Sequence, residues 1–236
     1  MTRTRKPPSR KDKSAKRAGP TFKYERAVLK RLPSAVIAGI DEVGCAPLAG
    51  PVVAAAVVLD QERLPKILRE QLDDSKKVPK KKREELYDIL LSCGAAIAAV
   101  GRAEVHEIDS INILNAAHLA MKRALASLSC IVTVALIDGN RKPKGMPCEV
   151  ETIVKGDGKS LSIAAASIIA KVTRDRFMAE LALAHPGYGW ETNVGYPTLA
   201  HREAILRLGL TDHHRRSFQF VRDQLSPPAI QLELVS

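Results

Sequence analysis

Two short apolar runs constrain the fold first. They are Ala35-Val36-Ile37-Ala38-Gly39-Ile40 and Pro51-Val52-Val53-Ala54-Ala55-Ala56-Val57-Val58-Leu59. Both are rich in Val, Ile and Ala, and Gly50-Pro51 marks a turn before the second, so both read as strands buried in a sheet. The first runs straight into Asp41-Glu42. A carboxylate at the point where a strand enters the core stays ionised only if it is paired, hydrogen-bonded or bound to a metal. The pair therefore points to a metal site. Its bland alternative is a solvated turn after a strand.

The rest of the chain fills in a mixed α/β layer. Residues 80–91 have apolar positions at helical spacing, and 95–100 reads as a strand. A long helix is expected over 111–128, a β-branched strand over 131–137, and a short strand over 149–154. A second long helix rich in Ala and Ile is expected over 160–184, and a shorter one over 201–208. No internal repeat, P-loop or Gly-x-Gly-x-x-Gly motif is present, so a nucleotide cofactor has no evident cradle.

Two more strand-like segments end in acids: one runs into Asp138-Gly139, the other into Gly156-Asp157-Gly158. Strand ends are where sites form in α/β sheets, because loops there vary while the strands stay rigid. Asp41, Glu42, Asp138 and Asp157 converging on one point would repel unless a divalent cation neutralised them. Hard cations such as Mg²⁺ and Mn²⁺ take all-oxygen ligand sets, and the lack of His or Cys points away from zinc. Each acid keeps a plain alternative: Asp-Gly is a common turn signal, and Asp157 could cap the helix that begins near Ser160. From the residues alone the reading stops at a Mg²⁺-dependent phosphoryl-transfer site.

The net charge of +11 is unevenly placed. Residues 1–31 hold twelve Lys/Arg against two acids, while the remainder is nearly balanced, 25 basic to 24 acidic. Residues 1–33 are expected to be a disordered basic tail, acting either as a phosphate-binding arm or as a solubilising segment. Residues 34–224 are then one catalytic domain, and 225–236 a C-terminal tail. Aromatics at 4% argue against a surface built on base stacking. The four cysteines form no Cys-x-x-Cys pair, which favours reduced thiols and the cytoplasm. No run is long enough to span a bilayer, and the N-terminus lacks a signal-peptide core.

Read together, IDEVG (40–44), PLAGPVVAAAVVL (47–59), LDDSKK (72–77), INILNAAHLAMKRAL (111–125), LIDGN (136–140), VKGDGKSLSIAAASIIAKVTRDR (154–176), VGYPTLAH (194–201) and HHRRSF (213–218) make the chain resemble bacterial ribonuclease HII from about Ala35 to Arg222. The resemblance implies an α/β ribonuclease H-like fold: a mixed central sheet flanked by helices, with a C-terminal helical extension. It implies an enzyme that cuts the RNA strand of RNA–DNA hybrids, including 5′ of ribonucleotides embedded in duplex DNA, by a two-metal mechanism giving 3′-hydroxyl and 5′-phosphate ends. Its partners would be such hybrids and duplexes, with no membrane, and a monomer is expected.

Carried over by motif, the catalytic and metal-binding acids are Asp41, Glu42, Asp138 and Asp157, holding two Mg²⁺ or Mn²⁺ ions. Asp41 would bridge both. Asp175, mid-helix between Arg174 and Arg176, reads as a local ion-pair former. The family reads the ribonucleotide through a Gly-Arg-Gly segment after the acid pair and through a Tyr that packs on the sugar. Tyr196 matches the Tyr, but the segment here is Gly44-Cys45-Ala46. Cys45 drops the cationic side chain, and Ala46 is unsuited to positive φ if that position requires it. Lys76 and the pair Arg215-Arg216 are candidate phosphate contacts; His201, His213 and His214 read as structural or solvent-facing. The alternatives are a catalytically silent nucleic-acid-binding protein and ribonuclease HIII, whose extra N-terminal domain about thirty tail residues could not supply.

Overall fold

The computed structural model describes residues 19–225. Five strands form one sheet: β1 (Ile37–Val43), β2 (Val52–Leu59), β3 (Ala96–Ala103), β4 (Val134–Asp138) and β5 (Glu149–Ile153), in the order β3-β2-β1-β4-β5. β1–β2 and β2–β3 pair antiparallel, whereas β1–β4 and β4–β5 pair parallel. The central strands are buried on both faces, which explains their unbroken apolar runs.

Helix α5 (Ile113–Ala126) covers one face of β2 and β3, and α6 (Leu161–Ala184) covers β1 and β2 on the other. α6 lies unusually close to the sheet. A Cβ on Gly39 would fall 2.0 Å from the backbone carbon of Ser162, so only glycine fits in β1 at that crossing. Asp41 and Glu42 are the fifth and sixth residues of β1, within the strand rather than after it, so the solvated-turn alternative does not hold.

The long helix expected over 111–128 is two. α4 (Val105–Ile111) ends at Asn112, whose φ of 65° breaks the run, and Asn112 Oδ1 then caps α5 by accepting from Asn115 N–H at 3.1 Å. Ser160 likewise caps α6 through Ile163 N–H, which leaves Asp157 without that duty.

The disordered segment assigned to 1–33 needs correction. Residues 1–18 lie outside the described residues, but α1 (Lys23–Arg31) is a helix packed into the fold. Val28 is 1% exposed and Glu25 3%. Glu25 Oε1 accepts from Ser162 N–H (3.0 Å) and from the hydroxyls of Ser160 (2.6 Å) and Ser162 (2.7 Å), placing a carboxylate at the positive end of α6. Arg31 pairs with Glu149 and Glu151 on edge strand β5. The extension after α6 comprises α7 (Trp190–Asn193), α8 (Leu199–Leu208) and α9 (Gln219–Leu225). Residues 226–236 of the expected C-terminal tail also lie outside the described residues. Among those described, no helix is long and apolar enough to cross a membrane.

Candidate active site

β1 and β4 run parallel and side by side, so Asp41 and Glu42 of β1 and Asp138 of β4 reach the same edge of the sheet. The 3-10 turn Gly156–Gly158 after β5 adds Asp157 there. Its geometry is tight: Gly156 N–H donates to Asp138 Oδ1 at 2.6 Å, and a Cβ on Gly156 would meet Ile163 at 2.6 Å. Lys155, just before, is left-handed at φ 56°, a conformation that costs a non-glycine residue about 1 kcal/mol or more.

The acids feel one another. Asp41 is 7% exposed and Asp157 8%. Burial, then the charges of Glu42 and Asp138, push the Asp41 pKa well above the carboxylate range; a Ser167 hydroxyl opposes the shift. Burial and Asp138 raise Glu42 to about 7, and burial and Asp138 also raise Asp157. None of the four acids is in an ion pair among the described residues. No three His, Cys, Asp or Glu side chains among those residues stand ready-made around one ion. The four carboxylates thus share one end of the sheet without forming a ready-made ligand shell among the described residues. Their all-oxygen chemistry and unneutralised charge fit a hard divalent cation whose shell is completed by water and phosphate oxygens.

A cavity of about 280 Å³ opens beside them. It is lined by Asp41, Glu42, Gly44, Cys45, Ala46, Lys76 and Tyr196, so the sequence-derived substrate residues do come together. Asp138 joins Glu42 and Cys45 in an adjoining cleft floored by α5. Lys76 is exposed and in no ion pair among the described residues. Burial pulls its pKa down, but Asp74, Asp41 and Asp157 together outweigh that and raise it. Its loop is fixed from behind: Arg83 donates to the carbonyls of Ser75 (2.9 Å) and Val78 (2.7 Å), and Ser167 Oγ to Ser75 Oγ (2.9 Å).

Lys171 and Ser167 also line the cavity, and the sequence reading missed both. The signal was available: they are four residues apart on α6, hence on one face. Asp175, read as an ion-pair former, pairs with Lys171 at 2.7 Å and with Arg83 of α3 (Lys80–Ser92) at 3.7 Å.

Arg215, expected as a phosphate contact, is instead 0% exposed. It donates to the carbonyls of Gly44 (2.6 Å), Cys45 (3.2 Å) and Gly50 (2.7 Å). In a trans peptide the N–H points opposite the carbonyl. Arg215 therefore turns the N–H groups of Cys45 and Ala46 away from the core. Neither donates to another backbone group among the described residues. Arg174, equally buried, holds Pro51, Ala49 and Val194 carbonyls. Gly44 has φ 95°, whereas Ala46 is exposed and is not among the positive-φ residues, so Ala at 46 meets no backbone obstacle. Cys45 packs against the α5 side of the core, and burial raises its thiol to about 12, which makes it an inert thiol. Of the histidines, His201 and His214 are buried, and His213 packs edge-on against His185 and Trp190.

An all-carboxylate cluster on adjacent strand ends of a mixed five-stranded sheet, faced by lysines, has the chemistry of a divalent-cation-dependent nuclease site. The ribonuclease HII family model matches residues 38–221. Ribonuclease HII of Paramagnetospirillum magneticum is 60% identical over 183 residues, covering 78% of this chain and 90% of that protein. Ribonuclease HII of Ruegeria pomeroyi is 58% identical over 185 residues, covering 78% and 76%. The crystal structure of ribonuclease H2 from Pyrococcus horikoshii superposes with a TM-score of 0.65 at 28% identity, covering 80% of this chain and 96% of that one. The chain belongs to the ribonuclease HII family and has its ribonuclease H-like fold, the architecture of a metal-dependent endonuclease acting on RNA–DNA hybrids.

Proposed function

We propose that this chain cuts the RNA strand of hybrids and also 5′ of ribonucleotides embedded in duplex DNA, leaving 3′-hydroxyl and 5′-phosphate ends. The observation that carries this is the set of four carboxylates at one end of the sheet, none in an ion pair among the described residues, with Asp41, Glu42 and Asp157 raised by burial and by neighbouring acids, beside a cavity that Asp41 and Glu42 line together with Lys76, Lys171 and Tyr196. Asp41 has the other three acids around it and would bridge two ions. Glu42 and Asp138 would complete one site, and Asp157 would help hold the other. Bound Mg²⁺ or Mn²⁺ supplies an activated water and offsets charge developing on the phosphate.

The protein's own groups supply position. Lys76 and Lys171 face the phosphates. The N–H groups of Cys45 and Ala46, turned outward by Arg215, read the 2′-hydroxyl that separates RNA from DNA. Tyr196 packs on the ribose. This reading makes the side chain at position 45 dispensable for the backbone contact, although its charge is lost. A non-catalytic binding protein would have no use for this costly cluster of acids. Cleavage of a hybrid with Mg²⁺ or Mn²⁺ tests the assignment. Asp41→Asn should bind the hybrid yet cleave at least about 10²-fold more slowly. Wild-type rates in that variant would refute it.

A further inference from the structure

The loop carrying Tyr196 is held from several sides. Val194 sits at φ 44°, ψ 34°, a left-handed conformation that β-branched residues avoid. Arg174 donates to its carbonyl at 3.0 Å. Gly195 donates to Asn193 Oδ1 at 2.8 Å, and its own carbonyl accepts Leu48 N–H at 2.8 Å. Directly behind lies His201 of α8, 0% exposed, against Trp190, also 0% exposed. His201 Nε2 is 2.9 Å from Trp190 Nε1, and His201 Nδ1 is 2.9 Å from the Tyr196 carbonyl.

Those two contacts define the state of the ring. An indole N–H can only donate, so Nε2 must be the bare, accepting nitrogen. A carbonyl can only accept, so Nδ1 must carry the proton. Both partners demand the same neutral tautomer, and the ring transmits the fixed position of Trp190 to the backbone of Tyr196. We propose that His201, locked in its Nδ1-protonated form by Trp190, is the positioning residue that sets Tyr196 against the ribose. The proposal rests on the reading of Tyr196 as the sugar-packing residue. The geometry separates His201 from a plain core residue: the Tyr196 carbonyl already accepts Thr198 N–H at 2.8 Å, so the imidazole bond adds direction rather than satisfying an orphan group. Burial lowers the His201 pKa, so the neutral ring persists at pH 7.

Two near-isosteric variants take the two bonds apart. His201→Gln keeps an acceptor at the Nε2 position and loses the Nδ1 donor; His201→Asn does the reverse. On a duplex containing one ribonucleotide, His201→Gln should lower kcat about three- to tenfold with KM changed by less than about twofold. His201→Asn should restore most of kcat. Tyr196→Ala should lose at least as much, and adding His201→Gln to it should cost nothing further. Trp190 is the sole tryptophan, so its emission should shift in His201→Asn and stay put in His201→Gln. Wild-type kcat in His201→Gln, with Tyr196→Ala impaired, overturns the positioning role and leaves Tyr196 in place. An unimpaired Tyr196→Ala overturns the reading of Tyr196 and the proposal with it. If neither His201 variant folds, nitrogen-15 spectra of the wild type decide: a proton on Nδ1 supports the proposal, and one on Nε2 overturns it.

Discussion

Replacing Glu42 by Gln should make the metal-free protein more stable while abolishing its chemistry. Glu42 is half-buried, and burial, then the charges of Asp138 and Asp157, hold its pKa at about 7 against an ordinary 4.5. The folded state therefore keeps its proton to higher pH than the unfolded chain does. Between pH 4.5 and 7 the unfolded state gives up the proton first, and stability falls as pH rises through that window. Above pH 7 the full cost applies. A difference of about 2.5 pKa units corresponds to at most about 3 kcal/mol. Gln keeps the shape and an acceptor for the Cys45 thiol, which lies 3.9 Å away, but carries no charge. Urea melts in EDTA should thus show the variant more stable by up to about 3 kcal/mol at pH 8, with the gap closing toward pH 5. In thermal melts the gap is roughly 6–12 °C for a chain of this size. Adding Mn²⁺ should stabilise the wild type more than the variant, because only the wild type offers the full set of carboxylates. A variant no more stable than wild type at pH 8 would refute the claim that burial and the neighbouring acids penalise an ionised Glu42 in the absence of a cation.

Four further variants test the packing and the loop after β1. Gly39→Ala should cost more than about 3 kcal/mol in urea unfolding, because the new Cβ falls on the α6 backbone, which cannot yield as a side chain could. Arg215→Met should lower stability by about 3 kcal/mol and abolish single-ribonucleotide cleavage more than hybrid cleavage, since the Gly44, Cys45 and Gly50 carbonyls lose their donor and the Cys45 and Ala46 amides lose their orientation. Ala46→Gly should change stability by less than about 1 kcal/mol, given its exposure and ordinary φ, while Cys45→Arg with Ala46→Gly should raise activity on one-ribonucleotide duplex relative to hybrid; unchanged ratios show that the side chains at 45 and 46 do not alter discrimination.

The parts of this site legible in the sequence are those where local pattern conflicts with burial. Asp41, Asp138 and Asp157 each interrupt an apolar or glycine-bounded segment, so their placement could be read from period and polarity, and the family resemblance supplied their convergence. What the sequence hid depends on contacts between distant segments. Arg215 has the composition of a surface basic pair, yet it is buried because three carbonyls from residues 44–50 converge on it. α1 carries too many charges to announce its one buried stripe; Val28 and the cap that Glu25 provides to α6 become visible only once α6 is in place. The break at Asn112 was obscured because apolar spacing continues across it, and only the positive φ of that residue separates α4 from α5.

The central claim is that an activated water, and not the ribose hydroxyl, attacks the phosphate between these acids. Mapping the ends left on a duplex with one ribonucleotide tests it most directly. The account predicts a cut 5′ of the ribonucleotide with a free 3′-hydroxyl on the DNA side and a 5′-phosphate on the ribonucleotide, dependent on Mg²⁺ or Mn²⁺ and lost in Asp41→Asn. A cut on the 3′ side ending in a 2′,3′-cyclic phosphate, persisting in EDTA, would contradict it.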